Sequence, residues 1–373
     1  MIKIPCVYMR GGTSKAVFFH REDLPEDEQL WPALFMKVMG TPDKKQIDGM
    51  GGAHPTTSKI AVISKAKTAD HDIDYSFFQV AVEEPYVDTR INCGNISCAV
   101  GPYAVDEGLV AAVEPVTIVR VYNTNTGKYI EEHVPVRHGR ALAEGQDRIT
   151  GVPGTGAGMR VFFMNPGGAT TGRLFPTGNR RDVLKPEGYT PVEVTMIDCS
   201  NPVTFVRAED LGLSGTEISN FTQDAELLRH IEAIRAQAAV CYGYVQRAED
   251  AAEKSLARPK VSVFSPPQDY MGSHHEMIRA ESMDICSRVV SVGVFHKTHP
   301  ITSGIAIASA AAIPGTVVHD CARHTGDSVF RVGHPYGVLP IEVQVEGEHV
   351  IKGGTIRTAR RIMDGNVYIP ENV

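Results

Sequence analysis

The feature that most constrains the fold of this chain is an internal repeat. Ser14–Leu24 (SKAVFFHREDL) matches Asn201–Leu211 (NPVTFVRAEDL) at an offset of 187 residues, and Lys59–Ser64 (KIAVIS) matches Lys260–Ser265 (KVSVFS) at an offset of 201. Because the matches keep the same order along the chain, they predict two domains of similar fold. The chain has 373 residues, which is enough for each domain to bury its own core.

The boundary between the two domains is expected at the turn-rich segment Leu184–Gly188, so that residues 1–187 form one domain and residues 188–373 the other. The offset between matched segments grows along the chain. We therefore expect an insertion in the second domain, in the helical and charged stretch Gln223–Arg258.

Each half also contains one nearly all-apolar run, Gly94–Glu107 in the first and Ser303–Ile313 in the second. These runs are predicted to be helices that end at Gly108 and at Pro314-Gly315. A helix that is apolar on every face must be buried on every face. We therefore predict an α+β fold in which each domain wraps a curved β-sheet around a central helix, with a ligand cleft between the domains.

Composition excludes several classes of protein. The net charge of −7 argues against a nucleic-acid partner, because phosphate binding needs a positive face. No apolar run is long enough to span a membrane, and the N-terminus does not have the pattern of a signal peptide. Seven cysteines without paired spacing favour free thiols in a reducing cytoplasm.

Two residues stand where reactive groups are expected. Cys93 begins the first predicted helix, where free N–H groups stabilise a thiolate, although the residue type also fits an inert buried thiol. Lys59 begins an apolar strand, where a lysine either extends its amine to water or is held desolvated in a site. For each residue, the sequence is compatible with both roles.

The starts of the two predicted helices are also candidates for binding anions. Asn92–Asn95 and Thr302–Gly304 are small and polar, and they either bind carboxylates or simply cap their own helices. Gly154–Gly158 lacks the lysine of a phosphate-binding loop, and His319, Cys321 and His324 do not have a zinc-binding spacing. We therefore expect no nucleotide cofactor and no metal.

Several motifs resemble one family, the PrpF-type isomerases. They are found in Ile4–Lys15 (IPCVYMRGGTSK), Gln46–Gly52 (QIDGMGG), Thr57–Lys59 (TSK), Asn92–Ser97 (NCGNIS), Val121–Lys128 (VYNTNTGK) and Pro176–Asn179 (PTGN). The resemblance runs nearly end to end. It implies the diaminopimelate epimerase-like fold, with two pseudo-symmetric domains, each a β-barrel around a central helix.

The resemblance also implies roles for individual residues. The catalytic lysine and cysteine of the family are 34 positions apart, which places them at Lys59 and Cys93, and its GTSK serine falls on Ser14. A histidine ahead of the second helix falls on His296. The further candidates for gripping carboxylates are Arg10, Ser58, Gly94, Asn95, Thr302, Ser303 and Gly304.

The reaction that the resemblance implies is a cofactor-free 1,3-allylic isomerisation of an unsaturated di- or tricarboxylate such as 4-oxalomesaconate, 3-methylitaconate, methylaconitate or aconitate. An amino-acid epimerase of the same fold is disfavoured, because no cysteine stands near Ile301, where its second thiol would lie. Two departures from the family pattern, His54 and Thr302–Gly304, bear on which acid is recognised.

Functions of two different classes are also compatible with these residues. One is a non-catalytic accessory protein to an aconitase-like dehydratase, and the other is a hydrolase that uses Cys93 as nucleophile. For the partners of the chain, we expect a small molecule, neither nucleic acid nor membrane, and a homodimer.

Overall fold

The computed structural model describes residues 1–89, 93–218, 224–291 and 294–371. It contains seven α-helices in these ranges: α1 Trp31–Met39, α2 Gly94–Ser97, α3 Val100–Asp106, α4 Ala225–Cys241, α5 Ala251–Lys254, α6 Ile301–Ala312 and α7 Val317–Cys321. The strands in the same ranges are β1 Ile2–Gly11, β2 Ser14–His20, β3 Lys59–Lys65, β4 Ile73–Val80, β5 Val87–Asp88, β6 Val116–Asn123, β7 Lys128–Arg137, β8 Arg140–Ala141, β9 Met159–Met164, β10 Asp182–Leu184, β11 Val192–Cys199, β12 Asn201–Arg207, β13 Lys260–Ser265, β14 Tyr270–Met271, β15 Met277–Ile278, β16 Ile285–Ser291, β17 Val294–Phe295, β18 Val329–His334, β19 Gly337–Glu346, β20 His349–Arg357 and β21 Ala359–Ile369.

The chain divides into two compact units that differ from the expected halves. The first unit is Met1–Met164 with Ile356–Val373, and the second is Asn165–Thr355. The expected boundary at residue 187 is therefore not where the structure divides. The reason is strand pairing: β10 precedes residue 187 but pairs with β11 of the second unit, while β21 returns to pair with β1 of the first.

The internal repeat is visible in how the strands pair. In the first unit the sheet runs β21-β1-β2-β3-β4-β6-β7-β9, and in the second it runs β10-β11-β12-β13-β16-β18-β19-β20. Both series contain two parallel pairings at the same places, β2–β3 and β4–β6 in the first unit and β12–β13 and β16–β18 in the second. The prediction of two similar α+β domains is confirmed.

A central helix lies against the inner face of each sheet. In the first unit α2 contacts β1 and β2 while α3 contacts β6 and β7, so the sheet curves around the helices. In the second unit α6 contacts β11, β12 and β19. The predicted burial on every face is observed, because Val100–Val105 and Ser303–Ala311 are buried throughout.

The first central helix differs from the prediction in one respect. The expected single helix Gly94–Glu107 is interrupted at Cys98-Ala99, which separates the four-residue α2 from α3. Pro102 has no N–H to donate, and the N–H of Gly101 donates to the buried Glu132 Oε2 at 3.0 Å. The second central helix, α6, is continuous over twelve residues.

An outer helix covers the opposite face of each sheet. In the first unit α1 packs Leu34 and Phe35 against the outward side chains Ile60 and Val62 of β3. In the second unit α4 packs against Val261 and Val263 of β13. The connection that carries α4 has 52 residues and its counterpart that carries α1 has 38, so the insertion lies where the sequence predicted it, with Gln223 outside the described residues.

None of the helices within the described ranges is long and apolar enough to cross a membrane.

Candidate active site

Lys59 is the first residue of β3, and its side chain is on the inner face with Ala61 and Ile63, since those two residues pack against the central helix. It is 7% exposed. Its Nζ donates to Gln79 Oε1 and lies 5.2 Å from the centroid of the Phe77 ring. Burial lowers the pKa of the Lys59 amine, which enlarges the neutral fraction of this amine at a given pH.

The partner of this amine is the thiol of Cys93. The two side chains interact electrostatically, and the sulfur partly opposes the effect of burial by raising the pKa of Lys59. Cys93 is partly exposed and occupies the N-cap position of α2, where its carbonyl oxygen accepts from the N–H of Ser97 at 2.9 Å. A buried amine and a partly exposed thiol therefore interact at the beginning of α2.

Gln79 orients the amine and was not found by the sequence analysis. It faces Lys59 across β3 and β4, and its Nε2 donates to the carbonyl oxygens of Ser58 at 2.9 Å and Pro55 at 3.0 Å. With its nitrogen held by the backbone, Gln79 must present its oxygen to Nζ. An alternating strand offers no signal for this role, because the contact depends on strand register.

Ser58 has a structural contact at the base of the site. Its buried Oγ accepts from Gln46 Nε2 at 2.7 Å, and Gln46 Oε1 accepts from the N–H of Ala53 at 3.0 Å. The segment Gln46–Gly52 can pack closely around the Gln46 side chain because residue 51 is a glycine, at which a Cβ would lie 2.2 Å from that side chain. If Ser58 also contacts a substrate carboxylate, as predicted, its hydroxyl must donate to the carboxylate while accepting from Gln46 Nε2.

The turn between β1 and β2 packs against the start of α2. Gly12 has φ +50° and a Cβ there would lie 2.3 Å from Asn95 Oδ1, while Asn95 Nδ2 donates to Thr13 Oγ1 at 3.0 Å. Asn95 therefore secures this turn. Ser14 is 2% exposed, and its hydroxyl has no partner within the described ranges, so it is available to a ligand.

Arg10 is partly committed to the same turn. Its Nη1 donates to the carbonyl oxygens of Gly12 and Thr358, each at 2.9 Å, and to Thr358 Oγ1 at 3.1 Å. A second arginine, Arg357, was missed by the sequence analysis, and its buried Nε has no partner in the described part of the chain. Both arginines interact electrostatically with Cys98, which places them near the central helix.

The remaining predicted residues lie in the second unit at the beginning of α6. His296 precedes the helix, and burial lowers the pKa of its imidazole. Thr302 is partly exposed, whereas Ser303 is fully buried with a hydroxyl that has no described partner. Gly304 has a packing role, since a Cβ at this position would lie 2.9 Å from the Ile341 side chain. Gly94 in the first unit is less restricted, since a Cβ there would lie 3.5 Å from the Phe163 ring.

No group of three or more His, Cys, Asp or Glu side chains among the residues that the structure covers has the arrangement of a metal site.

Comparison with known proteins places this geometry in a family. The family model described as "PrpF protein" matches residues 1–370. The chain belongs to the PrpF family. This confirms the resemblance inferred from the motifs that contain Ser14, Lys59 and Cys93.

The relatives of this PrpF-family chain are named isomerases and tautomerases. It is 43% identical to the 3-methylitaconate isomerase of Eubacterium barkeri, with 99% of this chain and 97% of that protein covered. It is 40% identical to the 2-methyl-aconitate isomerase of Shewanella oneidensis, covering 99% and 98%, and 40% identical to the 4-oxalomesaconate tautomerase of Pseudomonas putida, covering 98% and 96%. The prediction of an isomerase is confirmed.

Solved structures also resemble this chain. A crystal structure of methylitaconate-delta-isomerase superimposes with a TM-score of 0.96 at 43% identity, covering 99% of this chain and 96% of that one. A probable proline racemase from Agrobacterium radiobacter matches with a TM-score of 0.51 at 12% identity, covering 99% and 94%, which is a likeness of fold. The predicted epimerase-like fold is confirmed.

Proposed function

We propose that this chain is a cofactor-independent isomerase that shifts a carbon–carbon double bond of an unsaturated di- or tricarboxylate by 1,3-allylic proton transfer. The observation that carries the proposal is the buried Lys59 amine, which donates to Gln79 Oε1 and interacts electrostatically with the partly exposed Cys93 thiol. The substrate class is supported by the names of the relatives, whose acids 3-methylitaconate, 2-methyl-aconitate and 4-oxalomesaconate are all unsaturated polycarboxylates.

The pair balances the protons of such a reaction. In the ammonium–thiolate form, the thiolate of Cys93 removes a proton from the carbon next to the double bond, and the electron pair moves into a dienolate. The ammonium of Lys59 then gives a proton to the carbon two positions away. A thiol and an amine remain, and one proton passing from sulfur to nitrogen restores the starting pair. The reverse reaction uses the same groups in exchanged roles.

The contact between the two groups has a stereochemical consequence. Because the amine and the thiol interact with each other, we expect them to approach the substrate from the same side. Removal and return of the proton are then expected on one face of the allylic system. A fraction of the removed protons should appear in the product of a later turnover, because the sulfur passes its proton to the nitrogen only after the first product has formed.

Carboxylate groups of the substrate need separate contacts. Ser14 is the strongest of the proposed contacts in the first unit, since its hydroxyl has no protein partner among the residues described there. Arg10 contributes through the nitrogens other than Nη1, and Arg357 is added because its buried Nε is unpaired within the described residues. In the second unit, His296 and Thr302 are the proposed contacts, whereas Gly304 acts through close packing.

The test is deuterium incorporation from D2O. The wild-type protein, incubated with 3-methylitaconate, 4-oxalomesaconate and cis- and trans-aconitate, is expected to label at least one acid at its allylic carbon. Lys59→Met and Cys93→Ala should each reduce labelling by about 10²- to 10⁴-fold, the range typical of a lost general acid or base. Mass spectrometry of the recovered acids measures the label.

The matched control is Cys241→Ser, which removes an exposed thiol of the second unit. It should label as the wild type does. Unchanged exchange in a folded Lys59→Met protein would contradict the assignment. Racemisation of an amino acid in the same assay would favour an epimerase, and tight binding to an aconitase-like dehydratase without turnover would favour an accessory protein.

We also place this activity in the cytoplasm, as part of the same proposal. All seven cysteines are free thiols, which suits a reducing compartment. A homodimer stays a prediction from the sequence.

A further inference from the structure

Lys260 is the counterpart of Lys59 in the second unit. It begins β13, and the parallel pairing of β13 with β12 places Lys260 beside Val203. In the first unit the pairing of Val17 with Ile60 places Lys59 beside Ala16, which precedes Val203 by the repeat offset of 187 residues. The two lysines therefore occupy the same position in the two sheets.

The side chain of Lys260 lies on the inner face of its sheet. Its neighbours Val261 and Val263 point to the outer helix α4, so Lys260 and Ser262 point the other way. Ser262 bonds to Ser287 at 2.7 Å, and Ser287 bonds to Nε2 of His299 at 3.0 Å, immediately before α6. This series of contacts connects the face of Lys260 to the beginning of the second central helix.

The surroundings of Lys260 contain two histidines, His296 and His299, and no carboxylate among the described residues interacts with its amine. Its amine forms no hydrogen bond or ion pair with residues in the described ranges, and burial alone lowers its pKa. The charge of Lys260 in turn contributes to lowering the pKa values of His296 and His299, although burial is the main cause for both. A half-buried cation without a counter-ion is energetically costly, and an anion would offset that cost.

Two further groups, at the beginning of α6, can donate to an anion. The Ser303 hydroxyl, in the first turn of α6, is fully buried and has no partner among the described residues. The helix α6 has twelve residues, and its first N–H groups have no acceptor within the helix. The Ser303 hydroxyl and these N–H groups can thus donate to an anion in addition to the Lys260 amine.

We propose that Lys260, together with His296 and the first turn of α6, forms a carboxylate-binding subsite in the second unit. The choice of carboxylate as the anion rests on the proposed function. The repeat has thus kept a lysine at both positions with different partners. The Lys59 amine interacts with the Cys93 thiol, donates to the Gln79 amide oxygen and transfers protons. The ammonium of Lys260 instead forms a charge-assisted hydrogen bond to the ligand.

The experiment is calorimetric binding of tricarballylate, a saturated tricarboxylate that cannot isomerise. Lys260→Met is expected to weaken binding by about 10- to 100-fold, the usual effect of losing a hydrogen bond to a charged group. Lys260→Arg should retain most of the affinity, because it keeps the charge. Lys254→Met, which removes an exposed lysine of the same unit, is the matched control and should bind as the wild type does.

Tricarballylate affinity in Lys260→Met equal to that of the wild type would overturn the subsite, and so would a wild-type protein that does not bind this acid. Neither result depends on turnover, so the deuterium exchange assay decides the isomerase proposal separately. If Lys260→Met does not fold, as judged by circular dichroism, the comparison is made with Lys260→Gln. Equal affinity in that variant counts against the subsite in the same way.

Discussion

The two central helices occupy equivalent places in the repeat but differ in continuity. In the first unit the helix is interrupted at Cys98-Ala99, and the freed N–H of Gly101 is accepted by Glu132 on β7. In the second unit α6 is continuous, and the residue in the register position of Glu132 is Ile341, which packs against Gly304. The buried carboxyl group of Glu132 therefore lies in the unit whose helix is broken, where the N–H of Gly101 needs an acceptor.

This difference shows how one fold supports two kinds of site. The interruption leaves a single helical turn, α2, at Cys93, so the thiol is presented on a short segment tied to the turn before β2. The continuous α6 has an intact first turn, in which the buried Ser303 hydroxyl has no partner among the described residues. On our proposals, the first unit moves protons and the second binds a carboxylate.

The largest effect that tests this comparison is expected at Glu132. Burial raises the pKa of its carboxyl from 4.5 to about 8, so the folded form holds a proton that the unfolded form releases. Its contribution to stability is present below pH 4.5 and is lost as the pH rises toward 8. Glu132→Gln keeps an oxygen for Gly101 and should raise the free energy of unfolding by up to about 3 kcal/mol at pH 7.

Urea unfolding at pH 4 and pH 7 measures this effect. The gain should disappear at pH 4, where glutamic acid is protonated in both states. Ile341→Val is the matched variant in the second unit, and its cost should be the same at both pH values. A pH-independent effect of Glu132→Gln would mean that the buried carboxyl does not hold a proton.

A smaller effect should distinguish the histidines of the two units. Burial, aided by Arg288, lowers the pKa of His334 from 6.5 to about 4, so stability is lost as the pH falls from 6.5 toward 4. His71 in the first unit behaves oppositely: although burial lowers its pKa, hydrogen bonds to Asp74 and Asp70 raise it overall. Its contribution is present below pH 6.5 and lost as the pH rises through its folded value.

Replacement of each histidine by asparagine tests the opposite pH dependences. At position 334 the asparagine oxygen can accept from the N–H of Tyr336, as the His334 ring does. At pH 5, His334→Asn should recover about 2 kcal/mol of unfolding free energy relative to its effect at pH 7.5. His71→Asn should instead cost more at pH 5 than at pH 7.5. Effects of the same sign for both variants would refute the contrast.

The smallest effect is expected from the residues that face the two lysines. Gln79→Ala removes the acceptor of Lys59 and should lower kcat about tenfold, equivalent to about 1.4 kcal/mol. Because that acceptor favours the ammonium, the pH profile of kcat should also shift to lower pH. Ser291→Ala, the equivalent position across from Lys260, should leave kcat and its pH profile unchanged. A fall in kcat without a shifted profile would indicate a structural role alone.

The overall fold was predictable because the repeated segments contain the strands that build both sheets. The matched segments Lys59–Ser64 and Lys260–Ser265 coincide with β3 and β13 to within one residue. The unit boundary was not predictable, because β10 and β21 lie outside the repeated segments and find their partners only by long-range pairing. The interruption of the first helix did have a signal, Pro102, since a proline has no N–H to donate to the carbonyl oxygen four residues earlier, at Cys98.

The candidate site was predictable where short motifs contain it. Lys59, Cys93 and Ser14 stand in such motifs. Gln79 was missed because its contact with Lys59 depends on strand register. Arg357 was missed because it lies far along the chain, at the end of β20, and neither residue stands in a recognisable motif. Lys260 was visible in the sequence as the partner of Lys59 in the repeat, but its lack of a counter-ion among the described residues required the folded surroundings.

The pairing of β21 with β1 has a consequence for biosynthesis. Residues 165–355 form a contiguous unit, whereas the first unit takes its edge strand from residues 359–369. During translation the second unit can complete its sheet first, while the segment bearing Lys59 and Cys93 waits for the last part of the chain to leave the ribosome. The part of the enzyme that is made first is thus the last to mature.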